Sequence, residues 1–321
     1  MVQAEKKGTK DPVAIKMISI TNLKKNDLIS QIVNEVKVMS LLSNCKYIIK
    51  LIDHFEDDTN LYFVMELANQ GTLMDLLNRN GKLKEKVAAK IMRDVILALE
   101  FLHSKNIMHR DLKPENVLLD SSGYAKLSDF GWSIKLSGND DRRRTFCGTP
   151  DYISPEMVDG KEYDSSIDIW CCGVMLYEML HGVPPFTPLG DHDPNIKEKK
   201  IYDNIKKMRI ADAQQVSQVT KEAQNLINAL MHKNPKERIK IPQIKAHPWF
   251  ALYKITFDEN RGSTLTASNM LSDSMLNEDD PFDDFLNGRL NRSTAGKSAG
   301  GSGDYSPEKV TRSLIQARRI D

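Results

Sequence analysis

The segment His109–Leu119, HRDLKPENVLL, places a carboxylate, a lysine and an amide within six residues of one another. Transfer of a phosphoryl group uses a carboxylate that orients the attacking hydroxyl, a cation near the phosphate charge and oxygen ligands for Mg²⁺. Asp111, Lys113 and Asn116 supply one group of each kind. The segment therefore predicts a site for phosphoryl transfer.

A second carboxylate follows in SDFGWS, residues 128–133. Asp129 comes at the end of a short apolar stretch and directly before Phe130 and Gly131. Mg²⁺ prefers hard oxygen ligands such as carboxylates. Asp129 is therefore a candidate metal ligand beside the first segment.

Near the start of the chain, DPVAIKMIS predicts a β-strand that ends on Lys16, a candidate for binding phosphate. Apolar residues at helical spacing predict a helix from Asp27 to about Leu42, and Glu35 falls in the middle of its apolar stripe. A buried carboxylate is costly unless it is paired. We expect Lys16 to be that partner; the alternative is that Glu35 extends into solvent.

The elements that must position these residues change along the chain. Short β-type runs surround one helix up to about residue 65, and NQGTL, residues 69–73, reads as a linker. Helices are predicted after it, among them Lys86–His103 and a helix in SIDIWCCGVMLYEMLHG that is apolar nearly all round and closed by Gly182. From about Glu259 the composition indicates a largely disordered tail.

Composition excludes several classes of protein. Lys and Arg total 45 and Asp and Glu total 44, so the bulk charge favours neither nucleic acid nor an anionic membrane as a partner. No run reaches the roughly 18 apolar residues of a membrane span, and the N-terminus lacks the apolar core of a signal peptide. The four cysteines show no metal-binding spacing and read as free thiols. We therefore expect a cytoplasmic or nuclear protein.

The order of these motifs resembles that of the eukaryotic protein kinases, from Met1 to about Phe250. The resemblance implies an α+β fold with two lobes: a small, β-rich and truncated N-lobe at 1–66 and a larger helical C-lobe at 67–250. The tail would be 251–321. The alternatives to an active protein kinase are a pseudokinase or scaffold with impaired ATP binding, and a small-molecule kinase of related fold.

The resemblance also assigns roles to single residues, with ATP and Mg²⁺ as cofactors. Asp111 would be the catalytic base and Lys113 a catalytic residue of the serine/threonine type. Asn116 and Asp129 would hold magnesium, and Met65 would be the gatekeeper. The remaining expectation is a set of ATP-binding residues: Lys16, Glu35, Ala14, Glu66, Ala68, Glu115, Asn116, Leu118 and Asp129.

Two structural roles follow from the same resemblance. Glu156 in SPE, residues 154–156, should form an ion pair with Arg238 in NPKERI. Asp168, in the buried helix, should brace the catalytic loop. Both would support the catalytic residues without touching the substrates.

Three stretches resemble the Aurora group of mitotic kinases: DFGWS, RRRTFCGTPDYISPEM and IDIWCCGVMLYEMLHGVPPF. The resemblance implies protein substrates, a role in cell division, association with the spindle or microtubules, and an activating protein at the N-lobe. Thr145 aligns with the activating phosphorylation site, near Arg110, and Arg142–Arg144 precede it. Glu115 would read an arginine upstream of the substrate Ser or Thr.

The glycine-rich loop of kinases is not found in the sequence. Lys16 follows Ala4 by twelve positions. Aurora-type kinases show the same spacing between the alanine of their G-x-V-x-x-A motif and their phosphate-binding lysine, so Met1 would occupy the valine position that follows the glycine loop. We therefore expect the first strand and its phosphate flap to be absent, with weaker ATP binding and an exposed edge of the small sheet.

Overall fold

The computed structural model describes residues 1–26, 28–136, 144–188, 190, 193–210, 218–257 and, for the backbone alone, 315–317. The chain divides into two compact units. One comprises Met1–Lys37, Leu51–Leu67 and the described part of Asp258–Asp321; the other comprises Val38–Lys50 and Ala68–Phe257.

The first unit is built on an antiparallel sheet in the order β3-β4-β2-β1-β9. Val13 and Ile15 are two residues apart on β2, so they share one face of the strand and pack into a small core with Ala4 and Val64. Two helices follow β2, and the second runs into the other unit. The elements are β1 (Val2–Lys6), β2 (Pro12–Ser19), α1 (Ile20–Lys25), α2 (Ile29–Leu41), β3 (Leu51–Glu56), β4 (Asn60–Glu66) and β9 (Ile315–Ala317).

The outer edge of β1 is covered by β9. The backbones of Ala4–Lys6 pair with Ile315–Ala317 in antiparallel register. The expectation of an exposed edge is therefore wrong at these three positions, because a segment from the far end of the chain forms hydrogen bonds there. Residues 251–257 of the predicted tail are described, and the rest of it apart from Ile315–Ala317 lies outside the described residues. The predicted boundaries at 66 and 250 remain predictions.

The second unit is mainly helical. Its strands form two short antiparallel pairs, β5 with β8 and β6 with β7. Its helices are α3 (Leu73–Asn80), α4 (Glu85–Ser104), α5 (Pro155–Val158), α6 (Ser166–His181), α7 (Pro194–Lys207), α8 (Lys221–Leu230), α9 (Ile241–Lys245) and α10 (Pro248–Leu252). Its strands are β5 (Ile107–Met108), β6 (Val117–Leu119), β7 (Ala125–Leu127) and β8 (Ile134–Lys135).

Helix α6 forms the centre of this unit, and every residue from Ile167 to His181 is buried. Gly173 allows close packing against α8, since a Cβ at this position would lie 2.9 Å from Leu230 Cβ and 2.5 Å from Met231 Cγ. The helix ends at Gly182, whose left-handed backbone (φ 87°) lets its N–H donate to Glu178 O at 2.7 Å. The predicted buried helix and its glycine stop are confirmed.

The predicted linker NQGTL contains Thr72, which is the N-cap residue of α3. The Thr72 hydroxyl accepts from the Asp75 N–H at 3.0 Å, and the Asp75 carboxylate accepts from the Thr72 N–H at 2.8 Å. This reciprocal capping box satisfies donors that the first helical turn leaves open. It fixes the start of the helical unit directly after β4.

The α+β prediction is confirmed: β-structure dominates the first unit and helices the second. The β-type run IIKLIDHF, residues 48–55, forms a strand only from Leu51, where β3 begins. Ile48 and Ile49 instead pair with Leu127 at the end of β7, where Ile49 N–H donates to Leu127 O at 2.8 Å. No helix in the described part of the chain is long and apolar enough to span a bilayer.

Candidate active site

The first unit contains the predicted lysine–glutamate pair. Lys16 Nζ lies 2.6 Å from Glu35 Oε1, and the Glu35 side chain is only 3% exposed. Lys16 belongs to β2 and Glu35 to α2, so the strand and helix hold the two groups at a fixed separation. The alternative in which Glu35 extends into solvent is wrong, because the ion pair compensates the cost of burying the carboxylate.

Residues predicted to surround adenine lie on neighbouring strands of the same unit. Ala14 of β2 is directly opposite Met65 of β4, and both side chains are buried. Glu66 is the last residue of β4. Their positions on one strand pair agree with the predicted set, whereas their contact with a nucleotide stays a prediction. Ala68 and Leu118 lie in the second unit, and Leu118 belongs to β6.

The second unit assembles a hydrogen-bond network around Asp111. Lys113 Nζ lies 3.0 Å from Asp111 Oδ2, and the Asn116 amide donates to Asp111 Oδ2 at 3.0 Å and to Asp111 O at 2.7 Å. The hydroxyl of Thr149 accepts from Lys113 Nζ at 2.7 Å and donates to Asp111 Oδ1 at 3.2 Å. Three side chains, those of Lys113, Asn116 and Thr149, therefore hold the Asp111 carboxylate in one orientation.

Thr149 was not predicted from the sequence. It lies 38 residues after Asp111, in the CGTPDY stretch that the sequence related only to the activation segment. Nothing in the local pattern reveals which distant hydroxyl meets a catalytic carboxylate. The only sequence signal for Thr149 was its position in the CGTPDY stretch, and that stretch predicted no role for the threonine.

The two predicted metal ligands belong to segments that are joined by a backbone hydrogen bond. Ser128 N–H donates to Asn116 O at 2.9 Å, which brings Asp129 beside the Asn116 segment. Because the Asn116 nitrogen points to Asp111, its side-chain oxygen projects away from that residue. Asp129 is exposed, so its carboxylate is accessible to a ligand. An amide oxygen and a carboxylate are the oxygen donors that Mg²⁺ takes, and they fit this ion.

Two non-glycine residues of the site have left-handed backbones: Arg110 with φ 69° and Asp129 with φ 62°. Such conformations cost free energy for residues with a Cβ and are found preferentially at functional sites. Here each one is held by neighbouring hydrogen bonds. Arg110 N–H donates to Asp168 Oδ1 at 3.0 Å, and Gly131 N–H lies 3.4 Å from Asp129 Oδ1.

Asp168 braces the catalytic loop, as predicted. Its fully buried carboxylate accepts from the N–H groups of His109 and Arg110 at 3.1 and 3.0 Å and lies 2.8 Å from His103 Nε2. Burial by itself would raise the pKa of Asp168, but the bond from His103 and the charges of both histidines outweigh it and lower the pKa. The carboxylate therefore remains an acceptor that anchors the loop.

The predicted ion pair between Glu156 and Arg238 is also confirmed. The guanidinium binds the carboxylate with two parallel contacts, Nη1–Oε1 at 2.9 Å and Nη2–Oε2 at 3.0 Å. Both side chains are buried, and Nη1 also donates to Ser166 O at 2.8 Å. This bidentate pair ties the start of α5 to the start of α6.

Thr145, the predicted phosphorylation site, is exposed. Its backbone oxygen accepts from the Tyr163 hydroxyl at 2.8 Å, and Arg110 Nη1 lies 3.3 Å from that same hydroxyl. Tyr163 therefore connects Thr145 with Arg110, as expected for a threonine that lies near this arginine. Arg144 lies 3.0 Å from Glu162, while Arg142 and Arg143 are outside the described residues.

A buried acidic group lies on the side of the catalytic loop near Glu115. The Tyr152 hydroxyl donates to Glu178 Oε2 inside the helical unit. Burial raises the pKa of Glu178 to about 7, and the negative charges of Glu115 and Asp151 contribute to the rise. The sequence analysis missed Glu178, because in the linear pattern it was one residue of a nearly continuous apolar helix.

The second unit thus brings a fixed carboxylate, a lysine, a metal-type donor pair and a braced loop together, while the first unit holds a buried lysine–glutamate pair. A sequence model of the family described as Protein kinase domain matches residues 1–250. The chain belongs to the protein kinase family.

Within this family, its relatives are Aurora kinases. The chain is 39% identical to Aurora kinase of Schizosaccharomyces pombe over 251 residues, which cover 78% of this chain and 67% of the relative. It is 37% identical to Aurora kinase C of Mus musculus over 237 residues, covering 74% of this chain and 81% of the relative. Aurora kinase B of Drosophila melanogaster is 38% identical over 239 residues, covering 74% and 69%. The chain is therefore an Aurora-like protein kinase.

Proposed function

We propose that this chain transfers the γ-phosphoryl group of ATP to serine and threonine hydroxyls of protein substrates. The observation that carries the proposal is the network in which Lys113, Asn116 and Thr149 orient the Asp111 carboxylate. An oriented carboxylate is what the attacking hydroxyl needs in phosphoryl transfer. Lys113, two residues after Asp111, is the pattern of serine/threonine kinases.

Asp111 accepts a hydrogen bond from the substrate hydroxyl and so directs its oxygen toward the phosphorus. Lys113 supplies positive charge beside the transferred group, because its ammonium lies 3.0 Å from Asp111 Oδ2. Thr149 holds both residues through one hydroxyl. In this proposal the protein contributes positioning and charge rather than a covalent intermediate.

Lys16 contacts the α- and β-phosphates of ATP, and Glu35 keeps the ammonium in place. This assignment is supported by the 2.6 Å pair and by the burial of Glu35. Ala14 and Leu118 contact the adenine ring, Glu66 and Ala68 bind its edge through backbone groups, and Met65 is the gatekeeper. These adenine contacts rest on the family resemblance and on the strand positions of Ala14, Met65 and Glu66.

Asn116 and Asp129 hold magnesium, and Glu115 is next to Asn116 in sequence. When bound, Mg²⁺ neutralises charge on the phosphate oxygens and orients the triphosphate. The protein's part is to present an amide oxygen and a carboxylate from two segments joined by the Ser128–Asn116 hydrogen bond. The fit of these donors to a hard cation supports the assignment.

The substrates are proteins that carry an arginine upstream of the serine or threonine, read by Glu115. The negative charges of Glu115 and Asp151 both contribute to the raised pKa of the buried Glu178, so acidic groups are concentrated on this side of the site, which supports a cationic substrate residue there. Phosphorylation of Thr145 in trans activates the chain. The phosphate would add a charge of about −1.5 to −2 near Arg110 and order this segment through charge-assisted hydrogen bonds.

The Aurora-like relatives support a role in cell division with association with the spindle. An activating protein that binds the N-lobe is proposed from the sequence resemblance alone. The proposed location is the cytoplasm or nucleus, without direct contact with nucleic acid or membrane. The near balance of 45 basic and 44 acidic residues supports this assignment. No described feature favours the pseudokinase or scaffold alternative.

The test is transfer of radiolabelled γ-phosphate from ATP to a peptide with an arginine two residues before its serine. We expect transfer to serine and threonine versions, none to a tyrosine version, and loss of at least 100-fold in the Asp129→Asn variant. Asp58→Asn, an exposed carboxylate in a loop of the first unit, is the matched control and should retain full activity. Equal rates in both variants would refute the proposal.

A further inference from the structure

A cavity lies in the helical unit, outside the group of residues around Asp111. It is bounded by the end of α4, the start of α6 and the segment 235–241, and its volume is about 550 Å³. Sites for small molecules in proteins typically have volumes of roughly 300–1,000 Å³. We call it the helix-end pocket. The pocket is large enough for a small organic ligand and not only for a single water molecule.

One side of the helix-end pocket is apolar. Apolar side chains from four separate segments form this wall: Met108, Leu136, Ile169, Ile239 and Ile241. Met108 and Leu136 are also part of a buried cluster beneath the wall. An apolar body of a ligand would replace water against this wall, and about 25 cal/mol would be gained for each Å² removed from water.

The polar side of the pocket is mainly cationic. Lys236 and Lys240 line it, and both residues are exposed. Within the described part of the chain, neither ammonium forms a salt bridge with a carboxylate. Asp164 is the acidic residue of the lining, and its Oδ1 already accepts from Ser166 N–H at 2.9 Å. The charge of this rim therefore complements an anion.

We propose that the helix-end pocket binds a small amphipathic anion, with an apolar or aromatic body against the isoleucine-rich wall and a carboxylate, sulfonate or phosphate head on Lys236 and Lys240. The proposal does not rest on the kinase activity. It uses only the volume, the wall and the two ammonium groups. A cation or an uncharged polar molecule would not match this combination.

The site has a direct neighbour in the catalytic machinery. His103 also lines the pocket, and its Nε2 lies 2.8 Å from Asp168 Oδ2. Asp168 in turn accepts from the N–H groups of His109 and Arg110. A ligand in the helix-end pocket would therefore touch the side chain that bonds to the brace of the catalytic loop.

The probe is 8-anilinonaphthalene-1-sulfonate, an aromatic anion whose fluorescence rises when it leaves water, titrated against the full chain. Its uncharged analogue, N-phenyl-1-naphthylamine, is measured in parallel. Replacing both lysines, Lys236→Gln with Lys240→Gln, should raise the Kd of the anion about tenfold and that of the uncharged analogue by less than twofold. The matched control is Lys84→Gln with Lys86→Gln, two exposed lysines at the other end of α4, which should leave both Kd values unchanged.

A second variant tests the apolar wall. Ile241→Trp places a larger side chain in the pocket from the start of α9 and should abolish binding of both probes at this site. The melting temperature and the rate of phosphoryl transfer are measured for each variant, and unchanged values show that the variant is folded. The proposal is wrong if the anion binds equally to the double lysine variant and its control, or if Ile241→Trp leaves both titrations unaltered.

Discussion

At the residue scale, the catalytic carboxylate is defined by the groups that hold it. Asp111 is contacted by an ammonium, an amide and a hydroxyl at 3.0–3.2 Å, and these come from positions up to 38 residues away. A carboxylate with several fixed partners has little freedom to turn away from an incoming hydroxyl. Such preorganisation is the main means by which proteins accelerate phosphoryl transfer.

Thr149→Val tests this idea at the residue that sequence reasoning missed. The substitution keeps the shape but removes the hydroxyl that joins Lys113 to Asp111. We expect kcat to fall about 10- to 100-fold, since an unmet polar contact at such a site costs roughly 1–3 kcal/mol. Steady-state kinetics with a serine peptide give the value. Thr149→Ser is the matched control and should keep most of the activity; equal losses in both variants would show that the hydroxyl is unimportant.

Glu178 gives a pH-dependent prediction. Its pKa in the folded protein is about 7, above its ordinary value of 4.5, so folding favours the protonated form. The stability associated with this group is therefore complete below about pH 4.5 and lost as pH rises through 7. The rise in the pKa of Glu178 corresponds to a contribution of at most about 3 kcal/mol to the free energy of unfolding.

Glu178→Gln removes this titration. Urea unfolding measured from pH 4.5 to 8 should show a smaller decline in the free energy of unfolding for the variant than for the original chain. Asp203→Asn, at an exposed position of α7, is the control and should follow the original pH profile. Identical profiles for Glu178→Gln and the original chain would contradict the assignment.

At the element scale, α6 organises the helical unit. Its first turn supplies Asp168 to the catalytic loop, its middle packs on α8 through Gly173, and its last turns carry Glu178. The apolar pattern of SIDIWCCGVMLYEMLHG predicted a buried helix, and the structure confirms it. The same pattern concealed the buried Glu178, because burial all round gives no periodicity that marks which face a polar residue occupies.

Gly173→Ala tests the packing of α6 on α8. Alanine normally favours a helix by about 1 kcal/mol over glycine. Here its Cβ would lie 2.5 Å from Met231 Cγ and 2.9 Å from Leu230 Cβ, so overpacking should destabilise the protein by about 1–3 kcal/mol. Denaturant unfolding measures the change. The double variant with Met231→Ala should lose less than the two single losses combined; simple additivity would mean that the contact is not responsible.

At the scale of the whole molecule, sequence reasoning worked where both partners belong to recognisable motifs. The Lys16–Glu35 and Glu156–Arg238 pairs were predicted and are present at 2.6 and 2.9 Å. It failed where a contact depends on segments whose approach no local pattern encodes. The cover of β1 by Ile315–Ala317 is one such case, and the contact of Thr149 with Asp111 is another.

Regulation belongs to this scale, because a modification at one exposed residue would change the activity of the entire chain. Thr145→Ala should lower phosphoryl transfer at least tenfold, since the phosphate that would bind near Arg110 can no longer be added. Ser128–Ser133 and the Asp111 network should remain intact, so the melting temperature should not change. Activity equal to that of the original chain would exclude Thr145 as an activating site.

The most direct test of the central claim is the kinetic effect of Asp111→Asn, which keeps the size of the side chain and removes its charge. If Asp111 orients the attacking hydroxyl, kcat for transfer to a serine peptide should fall about 10²- to 10⁴-fold while the Kd for ATP stays within twofold. A variant that retains kcat within threefold of the original chain would contradict the account.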